Sequence, residues 1–108
     1  MGKKKFEPTP EELELSKIRL PRQGEVLGSV EAMLGGDRVK VNCDDGYTRL
    51  GRIPGRLRKR VWIHVGDLVL IEPWKVQSNE KADIIFRYSS TQANWIKRKG
   101  YVKTIFME

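Results

Sequence analysis

The chain has 108 residues with 21 Lys or Arg, 14 Asp or Glu and a net charge of +7. This length fits one domain whose hydrophobic core is large enough to be stable without a disulfide or a metal ion. Because Cys43 is the only cysteine and His64 the only histidine, the composition excludes an internal disulfide and a Cys/His zinc site, and we expect no metal and no cofactor. The sequence has neither a signal-like apolar start nor a run near the roughly 20 apolar residues of a membrane span, so we expect a cytoplasmic protein without membrane contact.

The first 20 residues predict a flexible N-terminal arm. Three lysines at positions 3 to 5, prolines at 8 and 10 and four glutamates leave little apolar surface to bury. Ordering such a segment costs more conformational entropy than burial returns. We therefore expect the folded body to begin at residue 21.

From Gly24 onward the apolar residues take the period of β-strands. The pattern predicts a first strand over 25–34, in which Gly28 indicates a bend or bulge. Residues 38–43 alternate polar and apolar, which is typical of a half-buried second strand. A hairpin turn with the Asp-Gly signature precedes a third strand over 47–53.

The second half of the chain predicts two further strands and a helix. Pro54-Gly55 ends the third strand, and a helical turn or an ordered loop follows. The continuous apolar run 68–71 is typical of a strand buried on both faces, and 82–88 is the fifth strand. Ser89 with Gln92 has the form of a capping box and predicts a helix over 90–100. The tail 101–108 fits a sixth strand, a docked tail or a partner-binding peptide.

Five short strands with a break between the third and the fourth predict an all-β protein with a small α extension. The arrangement fits a five-stranded Greek-key OB-fold barrel followed by a C-terminal helix, with an SH3-like barrel as the alternative. The predicted organisation is a flexible arm over 1–20, the barrel over 21–89, the helix over 90–100 and the tail over 101–108.

The positive charge is concentrated in residues 49–60, which hold six Lys or Arg and no acidic residue, and so carry +6 of the net +7. A concentrated patch attracts a polyanion, since each neutralised phosphate releases counterions. A run of like charges is also typical of a solvated loop. Here the cations are interleaved with Leu50, Ile53 and Leu57, which favours a folded nucleic-acid-binding surface.

An RNA-binding surface needs phosphate partners and flat side chains on which bases stack. His64, Trp62 and Trp74 are candidates for stacking. Trp62 lies between Val61 and Ile63, so either Trp62 or that aliphatic pair faces the core, and both orientations stay open. The candidates for phosphate binding are Arg49, Arg52, Arg56, Arg58, Lys59 and Arg60, with Lys40 on the outward face of the second strand. Tyr47, Phe86 and Tyr88 are expected to pack in the barrel.

No arrangement of residues indicates catalysis. Asp44 and Asp45 are adjacent in a turn, where Asp is common because it bonds the backbone. Gly35-Gly36 lacks the Lys-Ser/Thr partner of a phosphate-binding loop. The sequence therefore predicts a binding protein and not an enzyme.

Three blocks of sequence carry a resemblance to a known family. Residues 55–63 (Gly-Arg-Leu-Arg-Lys-Arg-Val-Trp-Ile), 66–71 (Gly-Asp-Leu-Val-Leu-Ile) and 79–85 (Asn-Glu-Lys-Ala-Asp-Ile-Ile) resemble translation initiation factor 1A of archaea and eukaryotes, and more distantly bacterial initiation factor 1. The resemblance covers about residues 20 to 100. It implies an OB-fold barrel with a C-terminal helical extension and no catalytic activity.

The resemblance also implies partners. It implies binding to the small ribosomal subunit at the aminoacyl-tRNA site, through ribosomal RNA of the decoding region and a neighbouring ribosomal protein. The protein would act as a monomer and help to position initiator tRNA on messenger RNA. The end Thr-Ile-Phe-Met-Glu lacks the long acidic tail of the eukaryotic relatives, so the chain resembles the archaeal type. A contact with other initiation factors, including the subunit-joining GTPase, then depends on residues 101–108.

The family's basic-aromatic motif falls directly on Arg56, Arg58, Lys59, Arg60 and Trp62. We add Lys40, Arg49, Arg52 and His64 to the predicted RNA-binding residues. This addition is based only on their charge and on the side of the strand on which we expect them to lie. Two alternatives stay open: a general RNA-binding domain such as a cold-shock-like RNA chaperone, and a scaffold that meets a protein partner through the C-terminal helix and tail.

Overall fold

The computed structural model describes residues 7, 9–58, 62–103 and 105. They form the strands β1 (Val26–Gly35), β2 (Arg38–Cys43), β3 (Thr48–Arg52), β4 (Leu68–Pro73) and β5 (Lys81–Arg87), and the helices α1 (Pro10–Ser16), α2 (Gly55–Arg58) and α3 (Ser90–Arg98). No helix in these ranges is long and apolar enough to cross a bilayer.

The five strands close into a barrel in the order β1-β2-β3-β5-β4, with β4 pairing back to β1. This is the predicted five-stranded OB-fold barrel with a C-terminal helix. Four strand pairs are antiparallel, whereas β3 and β5 run parallel. The connection between them includes α2 and β4, and it is long enough for the crossover that a parallel pair requires.

The core has two parts that meet at β4. Val69 and Ile71 point into the barrel, whereas Leu68 and Leu70 lie under α3 beside Ile96, and all of them are buried. Strand β4 is thus buried on both faces, as its continuous apolar run predicted. Helix α3 is an integral part of the fold, since it covers this second cluster.

Gly28 lies where β1 pairs with β2 on one side and with β4 on the other. A Cβ atom there would lie 2.4 Å from Cγ1 of Val41, so glycine allows the strands to approach closely. The bulges of β1 fall further along, between Val30 and Ala32 and between Met33 and Gly35. Gly28 therefore marks a close approach of strands, and of the expected bend or bulge the bulge lies elsewhere in β1.

The described part of the predicted arm contains a helix. Thr9 begins α1 with a capping box, a signal that we missed in the sequence. Oε2 of Glu14 accepts a hydrogen bond from Oγ of Ser89 at 2.9 Å, and Nε2 of Gln92 donates to the Glu14 carbonyl oxygen at 2.9 Å. Residues 10–16 are therefore helical, and hydrogen bonds to the start of α3 hold this helix on the folded body. Residues 1–6 and 8 of the predicted arm lie outside the described residues.

Helix α3 begins at the predicted capping box of Ser89 and Gln92. After it, the backbone N–H of Lys103 donates to both carboxylate oxygens of Asp44 at 2.8 and 3.0 Å. The Tyr101 ring stacks on Trp95 with 5.8 Å between ring centres. In the described residues 101–103 and 105, the tail therefore docks on the barrel and α3.

Candidate nucleic-acid interface

The connection between β3 and β4 carries Arg56, Arg58, Lys59 and Arg60, which we call the basic cluster, and it is anchored to the barrel on both sides of that cluster. Before the cluster, the N–H of Ile53 donates to the Asp37 carbonyl oxygen at 2.7 Å, and the Ile53 side chain is buried. After it, Ile63 is buried, and the N–H of Gly66 donates to the Val30 carbonyl oxygen at 2.8 Å. Between these anchors, Leu57 of α2 packs against the barrel core. The described parts of the connection, residues 53–58 and 62–67, therefore belong to the folded body.

The cations of this connection are described in part. Arg56 lies in α2 with its side chain exposed, and it forms no ion pair with a carboxylate of the described residues. Arg58 is the last residue of α2. Lys59 and Arg60 lie outside the described residues, so their role stays a prediction. An exposed guanidinium such as that of Arg56 has five donors to offer to phosphate.

The orientation of Trp62, which the sequence left open, is outward. The Trp62 side chain is 82% exposed, whereas Ile63 beside it is 7% exposed and belongs to the core. His64 is exposed as well, and its backbone N–H donates to Oδ2 of Asp67 at 2.7 Å. Trp62 therefore stabilises no core and presents a large ring to solvent beside the basic cluster, which suits base stacking.

Lys40 and Arg52 lie on the outer surface of β2 and β3, as predicted. Nζ of Lys40 is 3.0 Å from a Glu31 oxygen, and Nε of Arg52 is 3.1 Å from Oδ1 of Asp83. Both basic side chains are about half exposed. Ion pairs at such exposure are weak, typically about 0–1 kcal/mol, so phosphate can compete for both cations.

Arg49 does not lie on this surface, contrary to our prediction. Its side chain is 3% exposed, its guanidinium binds both carboxylate oxygens of Asp45 at 2.9 and 3.0 Å, and its Nε donates to the Ser78 carbonyl oxygen at 2.6 Å. Burial alone would raise the pKa of Asp45, but the bonds from Arg49 outweigh burial and hold that pKa below its ordinary value. Arg49 therefore ties the β2–β3 turn to the β4–β5 loop, and it is not available to RNA.

Two tyrosines that adjoin strands, Tyr88 after β5 and Tyr47 before β3, differ in their burial. Tyr88 is buried, but it lies in the cluster between the barrel and α3 and not in the barrel core where we expected it. Tyr47 was expected in the core but is 45% exposed, with the Arg49 guanidinium carbon 5.2 Å from its ring centre. Tyr47 lies just before β3, outside the barrel, so strand alternation does not apply to it.

Sequence reasoning missed Lys81 and Asp83, which face outward from β5 beside Arg52. They come to lie beside Arg52 through the parallel register of β3 and β5. This register cannot be deduced from the alternation of polar and apolar residues within each strand. In the part of the chain that the structure describes, no group of three His, Cys, Asp or Glu side chains is placed to hold a metal ion. The interface thus consists of cations and aromatic rings.

Comparison with known proteins identifies a family to which this chain is similar. Residues 15–108 match the model of the family described as "Translation initiation factor 1A / IF-1". Translation initiation factor 1A of Methanothermobacter thermautotrophicus is 54% identical over 90 residues, which cover 83% of this chain and 91% of the relative. The protein of the same name from Methanopyrus kandleri is 59% identical over 86 residues, 80% of this chain and 77% of the relative. Both relatives are archaeal, in agreement with the predicted type.

Among solved structures, the crystal structure of YjeQ from Thermotoga maritima is similar with a TM-score of 0.50. The two chains are 22% identical, and the match covers 60% of this chain and 23% of the other. At this identity the likeness concerns the fold alone.

Proposed function

Because the chain belongs to the translation initiation factor 1A / IF-1 family, we propose that it binds the small ribosomal subunit at the aminoacyl-tRNA site and helps to position initiator tRNA on messenger RNA. It would do so in the cytoplasm, as a monomer, by binding ribosomal RNA of the decoding region and without catalysis. The observation that carries the proposal is Trp62, which is 82% exposed on a connection that is anchored to the barrel at both ends.

The geometry suits RNA whose bases are unpaired. Bases that are not stacked in a helix can lie on an aromatic ring, and their phosphates attract guanidinium and ammonium groups. Trp62 supplies such a ring, and Arg56 supplies an exposed cation in the same connection. Ile53 and Ile63 are held in the core, so the described residues on either side of Lys59 and Arg60 do not have to be ordered by the ligand.

Protein partners are part of the same proposal. A neighbouring ribosomal protein would contact the bound factor, and other initiation factors, including the subunit-joining GTPase, would meet the tail 101–108. The described part of that tail is held by the Asp44 carboxylate through the N–H groups of Lys103 and Ile105. A partner that takes the tail would therefore have to replace these hydrogen bonds.

Chemical footprinting of ribosomal RNA in purified small subunits tests the proposed site. With the protein bound, we expect protection of nucleotides in the decoding region, and we expect that excess unstructured RNA does not remove it. Protection elsewhere, or its absence at saturating protein, would contradict the site. If excess unstructured RNA removes the protection of the decoding region, the protein would instead be a general RNA chaperone.

Trp62→Ala should weaken binding to small subunits by about 5- to 100-fold, the range that corresponds to the stacking energy of one base. Since the ring is 82% exposed, the free energy of unfolding should change by less than about 0.5 kcal/mol. Filter binding to purified subunits and urea denaturation measure the two effects. Trp62→Phe, which keeps a ring, is the control and should retain most of the affinity. An unfolded Trp62→Ala variant, or one with unchanged affinity, would rule out a stacking role.

A further inference from the structure

A notch with two carboxylates opens on the outer surface where β4 ends beside β5. It has a volume of about 350 Å³ and is lined by Glu72, Pro73, Trp74, Lys75 and Asp83. We call it the acidic notch. The chain as a whole carries a net charge of +7, so two carboxylates in one depression set this place apart from a surface that attracts phosphate.

The two carboxylates of the notch are neighbours across the sheet. Glu72 of β4 is the direct antiparallel partner of Asp83 of β5. The residues beside them, Ile71 and Ile84, point into the barrel core, so both carboxylates lie on the outer face. Like charges in directly opposite positions repel each other and destabilise a sheet. A cation that lies between the two groups would relieve this repulsion.

Among the described residues, the chain supplies such a cation to Asp83 but not to Glu72. Nε of Arg52 lies 3.1 Å from Oδ1 of Asp83, whereas Oδ2 is 3.5 Å from the nearest Arg52 nitrogen, Nη2. The Glu72 side chain is exposed and has no hydrogen bond or ion pair with the described part of the chain. Lys75 lines the notch but pairs with neither carboxylate. Glu72 and Oδ2 of Asp83 therefore have acceptor sites for a donor from another molecule.

The Trp74 ring adds an apolar surface to the notch. Its Nε1 donates to Oδ1 of Asp83 at 3.0 Å, and its backbone N–H donates to the Lys81 carbonyl oxygen at 3.0 Å. The ring is thus fixed beside the carboxylates before any ligand arrives, which lowers the entropy cost of binding. Arginine and lysine side chains pack their stems or their charged ends on aromatic rings and pair with carboxylates. The notch offers both groups to one basic side chain.

We propose that the acidic notch binds an arginine or lysine side chain from a basic segment of a ribosomal protein when the factor lies on the small subunit. This rests on the proposed function, because it assumes that the subunit is the partner. The carboxylates repel phosphate, so the notch selects protein and not RNA. Its volume suits one extended side chain and not a folded element. Such a contact fixes the orientation of the bound factor more than it adds affinity.

Glu72→Gln tests the notch through the sign of its effect. The variant removes a negative charge from a protein that binds RNA, so with RNA as the only partner it should bind small subunits as tightly as the wild type or more tightly. With a basic side chain in the notch, we expect the affinity for purified small subunits to fall by about 2- to 10-fold. Filter binding measures the change. An affinity equal to or above that of the wild type would overturn the proposal.

Glu80→Gln is the matched control, since Glu80 is an exposed carboxylate of the β4–β5 loop that does not line the notch. It removes the same charge and should not weaken binding; equal losses in both variants would overturn the proposal. Glu72→Gln should fold, and its midpoint in urea should not fall, because the repulsion from Asp83 is relieved. It should also bind protein-free ribosomal RNA at least as tightly as the wild type. A loss there would mean that the notch contacts RNA, and it too would overturn the proposal.

Photo-crosslinking identifies the occupant of the notch. With p-benzoylphenylalanine in place of Lys75, we expect complexes with small subunits to yield a crosslink to a ribosomal protein, at a segment that contains Lys or Arg. A crosslink to RNA alone, or none to protein, would overturn the proposal. The proposed function would still stand if the wild type protects the decoding region from chemical footprinting, and it would fall if that protection is absent, so the two failures are distinguishable.

Discussion

Changing Arg58, Lys59 and Arg60 together to alanine is expected to weaken binding to purified small subunits by roughly two orders of magnitude at 0.1 M salt. Each lost phosphate contact removes about 0.7–0.9 from the slope of log K against log salt concentration, so the dependence on salt should become visibly flatter. The fold should remain, because the flanking Leu57 and Ile63 that pack in the core are unchanged. Binding measured over a series of salt concentrations gives both the affinity and the slope.

The control for this prediction removes the same charge elsewhere. Lys97, Arg98 and Lys99 form an equally long basic run at the end of α3, so their change to alanine lowers the net charge by the same amount. We expect a much smaller loss of affinity in this variant. Equal losses in both variants would mean that net charge alone attracts the subunit, and an unaffected first variant would reject the basic cluster as the binding surface.

Arg49→Met is expected to lower the free energy of unfolding by about 2–3 kcal/mol. Breaking a buried ion pair costs about 3–5 kcal/mol, and we place this pair lower because Asp45 is 36% exposed. The change also leaves the Ser78 carbonyl oxygen without its donor. Urea denaturation measures the loss, and a melting temperature lower by roughly 10 °C should accompany it.

Arg52→Met is the matched control, since Arg52 lies on the same strand but is 54% exposed in its pair with Asp83. It should cost less than about 1 kcal/mol yet weaken RNA binding, whereas folded Arg49→Met should bind RNA like the wild type. If Arg49→Met is as stable as the wild type but binds RNA more weakly, Arg49 is part of the RNA interface after all.

The pH dependence of stability gives an independent check on the Arg49–Asp45 pair. Arg49 holds the pKa of Asp45 below its ordinary value in the folded protein, while the unfolded chain keeps the ordinary value of about 3.9. The pair therefore contributes its full stability above that value and loses it as the pH falls through the depressed pKa. The difference in stability between wild type and Arg49→Met should narrow as the pH is lowered from 5 to 2.

Arg49 also illustrates where sequence reasoning about the site ends. Its charge, and its place in a basic run, predicted a phosphate contact. Alternation along β3 puts Arg49 and Gly51 on the inner side and Arg52 on the outer side. The partner that makes an inward arginine tolerable is the β4–β5 loop, which is distant in sequence. Only the closed barrel brings the two together.

The fold itself was largely predictable, because short alternating strands, turn residues and the Ser89 capping box are local signals. The signals that failed were of two kinds. Thr9 and Glu12 form a capping box that we overlooked among prolines and charges. The orientation of Trp62 could not be predicted from the neighbouring residues, since it depends on whether Ile63 packs in the core. Ile63 does pack in the core, and the Trp62 side chain is therefore exposed.

The order of strands in the barrel has a consequence for synthesis of the protein. Strand β5 is the last to be made, yet it lies between β3 and β4, the two strands that carry the ends of the Ile53–Asp67 connection. Before β5 inserts, β3 and β4 are connected only through β2 and β1, so the first four strands form an open sheet. Closure of the barrel therefore has to wait until residues 81–87, the last strand in the chain, have been synthesised.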